Sequence, residues 1–295
     1  MWIWRRVLIV IGYLCYALAL FALFAYLKFP SQQVRAFVLT TLSHHGLERI
    51  HTGSVGPLLP AGLTFSEVSV ASDVNGQPVE LMRLPELQVQ LQTLRPFANS
   101  VRIGFEGGFY GGTLLGALEW ESNGKGPHLG IRVDLQDIRP AAHPLAAKLG
   151  KAIGDGKLAG SMTLQLSAGG WQDGNGRLTI QGDSGNIGGL DIGGVQVPSL
   201  SYEQLTGELT LQQRSVVVRE FQIHGHDWQV DVQGKVSLSE PLPQSSIDLT
   251  LRVRASDALE QQLGFVGILL KQRRDRRGFA ALKISGTLEH PNPVL

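Results

Sequence analysis

Leu87-Gln88-Val89-Gln90-Leu91-Gln92 alternates an aliphatic side chain with a glutamine at every step, and that alternation decides the fold. A strand turns successive side chains to opposite faces, so this stretch sets its aliphatic groups on one side and its amides on the other. The pattern recurs in Ile131, Val133 and Leu135 between Arg132, Asp134 and Gln136, and in Met162, Leu164 and Leu166 between Thr163 and Gln165. It recurs again in Trp228, Val230 and Val232, in Ile247, Leu249, Leu251 and Val253, and in Leu282, Ile284 and Leu288. About a dozen such segments give the density of an all-β domain. One apolar and one polar face per strand is an antiparallel signature, because parallel strands sandwiched between helices read as unbroken apolar runs. Asn75-Gly76, Asn123-Gly124, Asp173-Gly174-Asn175-Gly176 and Gly225 supply turn chemistry between strands, which predicts a meander of hairpins.

Helical spacing interrupts the alternation. Pro140 to Ile153 carries Leu145, Leu149 and Ile153 on one side and Lys148 and Lys151 on the other, with Gly154 closing the predicted helix. A second predicted helix is capped by Asp257, with Glu260 as its capping-box partner and Leu259, Leu263, Val266 and Leu270 as its apolar stripe. Two short helices are too small to hide the apolar side of so many strands. The expected fold is therefore mainly β: an elongated, curved antiparallel sheet shaped as a trough or half-pipe, with two or three short helices at its ends. Val101 to Leu118 and Val218 to Leu238 share one layout of strand, glycine-centred turn and returning strand, which reads as an internal duplication.

Upstream of the sheet, Val7 to Leu27 contains no charge and follows Arg5 and Arg6. Such a run spans about 30 Å as a helix, the thickness of a bilayer's hydrocarbon layer. Val7, Leu8, Ile9, Leu14, Leu20, Phe21, Phe24 and Leu27 are the candidate anchor residues. The Arg pair keeps the N-terminus cytoplasmic and sends the remainder across. A cleaved signal peptide is the rival reading, since Ala17-Leu18-Ala19 mimics a cleavage site, but that triplet lies inside the run, which exceeds the usual h-region of about 7–15 residues. Ser31 to Leu47 follows Pro30 with Val34, Phe37, Val38 and Leu42 at helical spacing, a predicted stalk. The expected organisation is residues 1–28 as cytoplasmic terminus and anchor, 29–50 as juxtamembrane helix and 51–295 as β-domain. Cys15 is the only cysteine and lies in the apolar run, so no disulfide framework is expected beyond it.

Charge narrows the partners. Without Arg5, Arg6 and Lys28 the chain holds 23 basic against 25 acidic residues, a formal −2, which excludes a nucleic-acid binder reliant on clustered cations. One basic cluster stands out: Lys271, Arg273, Arg274, Arg276 and Arg277. It reads either as a solvated turn after a helix or, through Arg273, Arg274, Arg276 and Arg277, as a contact to anionic lipid or an acidic partner.

Reaction chemistry is sparse. His224-Gly225-His226-Asp227 brings two imidazoles and a carboxylate together, but flanking a glycine turn they point apart, and no further ligand stands at metal-site spacing. His44-His45, with His51 nearby, reads as a solvated helix end. Gly107, Gly108, Gly111 and Gly112 lack a following helix that would aim its N-terminus at a phosphate. No catalytic, metal-binding or cofactor-binding residue is assigned, and no enzyme activity is expected.

The apolar anchor and three further segments carry a family resemblance: Val55 to Val70 (VGPLLPAGLTFSEVSV), Phe109-Tyr110-Gly111-Gly112, and Ile284 to Pro293 (ISGTLEHPNP). They resemble the GspN proteins of type II secretion systems, in the long deltaproteobacterial form, and the wider AsmA-like group. The resemblance implies a single-pass inner-membrane protein with a periplasmic β-domain, accessory to the secretion machinery and partnered by its other components. AsmA-like kinship implies a half-pipe whose apolar concave face shelters phospholipid chains, which makes a lipid-binding or lipid-bridging protein serving the outer membrane the alternative. Val89, Leu91, Val133, Leu135, Leu164, Leu166, Val230, Val232, Leu249 and Leu251 are the candidate groove residues. The matched positions are glycine, proline and apolar residues, and no catalytic residue carries over.

Overall fold

The computed structural model describes residues 13, 16, 20, 29–36, 50–74, 77–95, 99–123, 126–142, 153–167, 170–187, 191–192, 195–196, 199–239, 244–288 and 290–294. Tyr13, Tyr16 and Leu20 are helical, and the rest of the apolar N-terminal run lies outside the described residues. Among the described residues no helix is long and apolar enough to cross a membrane. Residues 31–36 form the short helix α1; the remainder of the predicted stalk, 37–47, also lies outside.

From Ile50 onward the chain is one antiparallel sheet of 15 strands. Its order opens with β1 (Ile50–His51), β2 (Val55–Leu58), β3 (Gly62–Val74), β4 (Gln77–Arg95), β5 (Ser100–Phe109), β6 (Gly112–Asn123) and β7 (Gly126–Ile138). It continues through β8 (Ile153–Ser167) and β9 (Gly170–Ile187), and a separate two-stranded hairpin follows, β10 (Asp191–Ile192) with β11 (Val195–Gln196). The main sheet resumes with β12 (Leu200–Gln212), β13 (Ser215–His224), β14 (Trp228–Ser237), β15 (Ser246–Ala255), β16 (Ala280–Thr287) and β17 (Pro291–Val294). From β3 on, each strand of the sheet pairs with the next; β1 and β2 both pair with β3, and β17 pairs with β16. Among the described residues the first and last strands do not meet, and the sheet stays open. The meander follows from period-two patterning joined by short turns. Tyr110-Gly111 and Gln213-Arg214, all at positive φ, make the two-residue hairpin turns between β5 and β6 and between β12 and β13. The two halves of the predicted internal echo are both hairpins, β5–β6 and β13–β14.

Several local expectations are corrected. Asp173-Gly174-Asn175-Gly176 is not a turn: it lies inside β9, where Asn175 pairs with Gln165 and Gln212 and Gly176 with Leu164 and Leu211. Two neighbouring strands offer these residues full ladders, and that outweighs their local turn preference. Of the predicted helix from Pro140, the described residues show a 3-10 turn, Pro140–Ala142, and residues 143–152 lie outside the described set; Ile153 and Gly154 open β8 instead of closing a helix. Leu288 falls just past β16 and is 47% exposed.

The second predicted helix is two. Helix α2 (Asp257–Gln262) is capped by Ser256, whose hydroxyl accepts the Leu259 N–H at 3.2 Å, one residue before the predicted Asp257 cap. Gly264, at φ +57, breaks the stripe before α3 (Phe265–Gln272). Glu260 does not serve a capping box. It is 5% exposed and meets Arg274 Nη2 at 2.6 Å.

Candidate functional site: the apolar face of the sheet

Directly paired residues in an antiparallel sheet point to the same face, so the register can be followed across the strands. One row begins at Leu63 on β3 and runs through Val89, Phe105, Gly116, Val133, Met162, Leu178, Leu209, Val218, Gly234 and Leu249 to Ile284 on β16. At roughly 4.8 Å per strand the row is about 53 Å long. A parallel row runs from Phe65 through Leu87, Gly107, Leu114, Leu135, Gly160, Ile180, Gly207, Phe221, Val232 and Leu251 to Leu282. A third runs from Leu91 through Ile103, Leu118, Ile131, Leu164, Gly176, Leu211, Val216, Val236 and Ile247 to Gly286. No polar or charged side chain enters any of the three. β-Bulges between Leu135 and Ile138, Glu208 and Leu209, and Val218 and Phe221 absorb extra residues and keep each strand in phase.

The glycines in these rows have a packing role. A Cβ on Gly116 would collide with the Phe105 ring and the Arg132 carbonyl, and one on Gly207 would lie 2.8 Å from the Phe221 ring. Each aromatic ring thus lies over a glycine on the neighbouring strand, large against small. The sequence therefore hides part of its alternation, because a glycine in an apolar slot does not register as apolar.

All ten candidate groove residues fall on this face. Val89, Val133 and Leu249 stand in the first row, Leu135, Val232 and Leu251 in the second, and Leu91 and Leu164 in the third. Leu166 pairs with Leu129, and Val230 with Ile223 and Val253, in flanking rows. Phe105, Trp120, Leu178, Leu209 and Phe221 share the face and were not singled out from sequence; interleaving glycines in β5, β6, β9 and β12 obscured the first four.

Cover over the face is uneven. Tyr202, Leu205, Trp228 and Ala255 are buried with Leu259 of α2, and Leu263 packs beside them. A second buried cluster joins Val55, Phe65, Val68 and Leu84 to Phe29 and to Val34 of α1. Both clusters lie toward the same ends of their strands. The Trp228 Nε1–H donates to the Ser201 carbonyl at 2.8 Å, and burial pushes the Tyr202 phenol up from its ordinary value. Every residue of the first row is only half-buried. At the opposite strand ends Leu91 is 38% exposed and Trp120 44%.

The reverse face is polar. Its depression of about 350 Å³ is floored by Gly104 and Ala117, with Gln90 and Arg132 at the two ends of that cross-strand row. Around the β13–β14 turn, His224 Nε2 lies 3.2 Å from Gln222 Oε1, and His226 Nδ1 stands 4.0 Å from Glu203 in open solvent. Among the described residues no three His, Cys, Asp or Glu are arranged to hold a metal. His51 sits in β1, while His44 and His45 lie outside the described residues. Of the basic cluster, Arg274 turns inward, and Arg273, Arg276 and Arg277 are exposed. The chain matches no known family profile, no curated protein and no solved structure.

Proposed function

We propose that this chain is a non-catalytic, membrane-tethered holder of hydrocarbon chains, its sheet coiled into a trough whose apolar lining shelters lipid. The single observation that carries this reading is the set of three apolar rows, crossing up to twelve strands with no polar side chain, whose central row stays half-buried throughout. Phe65, Leu164 and Ile247 are buried within these rows, and the apolar surface left half-buried along the central row and exposed at Leu91 marks an interaction site in a soluble fold. Each methylene it takes from water is worth about 0.8 kcal/mol, enough for an acyl chain to occupy it. Twist of roughly 20–25° per strand step coils a sheet this wide into a trough. The uncharged run Val7 to Leu27 behind Arg5 and Arg6 supports a single-pass inner-membrane tether with the sheet on the periplasmic side.

Native mass spectrometry of the full-length protein, extracted in mild detergent, tests the reading. Phospholipid should co-purify with the wild type and fall several-fold with Leu178→Gln, which sets an amide in the central row. Lipid-free wild type, or equal lipid on both, would overturn it. Service as an accessory component of a type II secretion system is the second reading, favoured by the resemblance of the segments that build both edges of the sheet, β2–β3 and β16–β17. A deletion strain that exports its exoproteins normally would remove it.

A further inference from the structure

Residues 271–277 read Lys-Gln-Arg-Arg-Asp-Arg-Arg, and the fold sorts these charges. Arg274 faces inward: its Nη2 donates to the Ala255 carbonyl at 2.7 Å and meets Glu260 at 2.6 Å, while its Nη1 donates to Asp257 at 3.2 Å. Asp275 closes its own loop, accepting the N–H of Arg277 at 2.8 Å and of Phe279 at 2.9 Å, with Arg252 at 3.5 Å. Those backbone hydrogen bonds, the Phe279 one foremost, hold its carboxyl below the usual range. Phe279 anchors the loop beneath Arg252 and Arg254, whose guanidinium carbons stand 4.7 and 5.0 Å from the ring centre. The acids of the segment, Asp257, Glu260 and Asp275, are thus all engaged within the fold. Lys271, Arg273, Arg276 and Arg277 are exposed and make no salt bridge among the described residues. Ile268, one turn before Lys271 on α3, is 56% exposed.

We infer that α3 and its following loop dock on the surface of an anionic bilayer, Ile268 entering the headgroup layer and the four outward cations meeting lipid phosphates. An exposed apolar side chain with four outward cations in the nine residues after it suits this surface, because apolar insertion and attraction to anionic headgroups reinforce each other. Charge complementarity favours it further: without these four cations the exported sequence holds 19 basic against 25 acidic residues, a formal −6, so the outward cations are a local property of this loop. The loop arrives pre-shaped by Asp275 and Phe279. The inference rests on the membrane-associated reading only for where such a bilayer is met.

The test uses the full chain with Cys15→Ala and Ile268→Cys, labelled at position 268 with an environment-sensitive fluorophore and held in phosphatidylcholine nanodiscs. Adding vesicles that contain phosphatidylglycerol should raise emission by about twofold, reversed by high salt and abolished by Arg273→Gln/Arg276→Gln/Arg277→Gln. No rise, or an equal rise on pure phosphatidylcholine, would overturn the inference. A response to polyglutamate without one to vesicles would also overturn it and assign the surface to an acidic protein. The label reports position 268 alone, so a chain that fails to insert in nanodiscs, contradicting the tether, still shows whether this contact forms.

Discussion

Trp228 and Phe105 lie on the same face of the same sheet, yet one is sealed under the protein's own helix and the other is half-open. Around Trp228 the chain supplies a cover, Leu259 and Leu263 of the α2 segment, and burial there works as it does in any core. Around Phe105 no buried cluster forms among the described residues, although the row is equally free of polar groups. The capped end therefore stabilises the fold, and on the proposed reading the half-buried rows are kept apolar for lipid that arrives from outside. Mutations should separate the two roles.

The largest effect is expected at the capped end. Trp228→Ala removes a buried indole and leaves the Ser201 carbonyl without its donor, and should cost about 3–5 kcal/mol in denaturant unfolding. Val133→Ala, in the central row, should cost under about 1.5 kcal/mol while lowering bound lipid. Equal destabilisation by the two would erase the distinction. Arg274→Ala strands the carboxylate of Glu260 under the cap and should cost about 3 kcal/mol, with Arg274→Ala/Glu260→Gln recovering part of it in the same measurement. A single variant no less stable than wild type would show that the cap is held by apolar contacts alone.

A smaller effect lies in the turns. At the capped strand ends the β5–β6 turn is Tyr110-Gly111, but at the open ends β12–β13 turns on Gln213-Arg214, with φ of 44° and 64°. Such turns favour Asn-Gly, so Gln213→Asn/Arg214→Gly should stabilise by about 0.5–1 kcal/mol, read as a rise in unfolding midpoint. The least effect on stability, and the most visible on association, concerns the edge. Thr287 donates its N–H toward β17, to the His290 carbonyl, so the alternation of the ladder turns the nitrogens of Pro291 and Pro293 outward, where they offer no donor. Pro291→Thr/Pro293→Thr should restore a pairing edge and give concentration-dependent oligomers by analytical ultracentrifugation, at a stability change within about 0.5 kcal/mol. An unchanged monomer would show that something other than proline guards this edge.

Acid should act on the loop behind the cap. The Asp275 carboxyl is depressed in the folded state, so its contribution is present above the unfolded value and lost as pH falls through the folded one. Limited proteolysis at the 275–279 loop should accelerate only in strongly acid solution, and Asp275→Asn should make it fast at neutral pH.

The strands were legible because alternation is a local property: Ile247 to Val253 shows its two faces without reference to any neighbour. The rows were not, because they depend on pairing offsets that turns and bulges set, such as the extra residues that bring Ile138 opposite Leu158. Glycine misled in both directions. Asp173 to Gly176 looked like a turn and is mid-sheet, while Gly116 and Gly207 interrupt the apolar alternation of their strands and are the floor on which Phe105 and Phe221 rest. The basic loop was visible as composition. Its sorting into one inward and four outward cations needed the positions of Glu260 and Ala255.

What the open rows face in the cell decides their role. A photoreactive side chain placed at Val133 in the full chain, compared with the same probe at Arg132 on the opposite face, asks this directly. Lipid adducts at position 133 and none at 132 are predicted; equal labelling at both, or no lipid adduct at 133, would contradict the central claim.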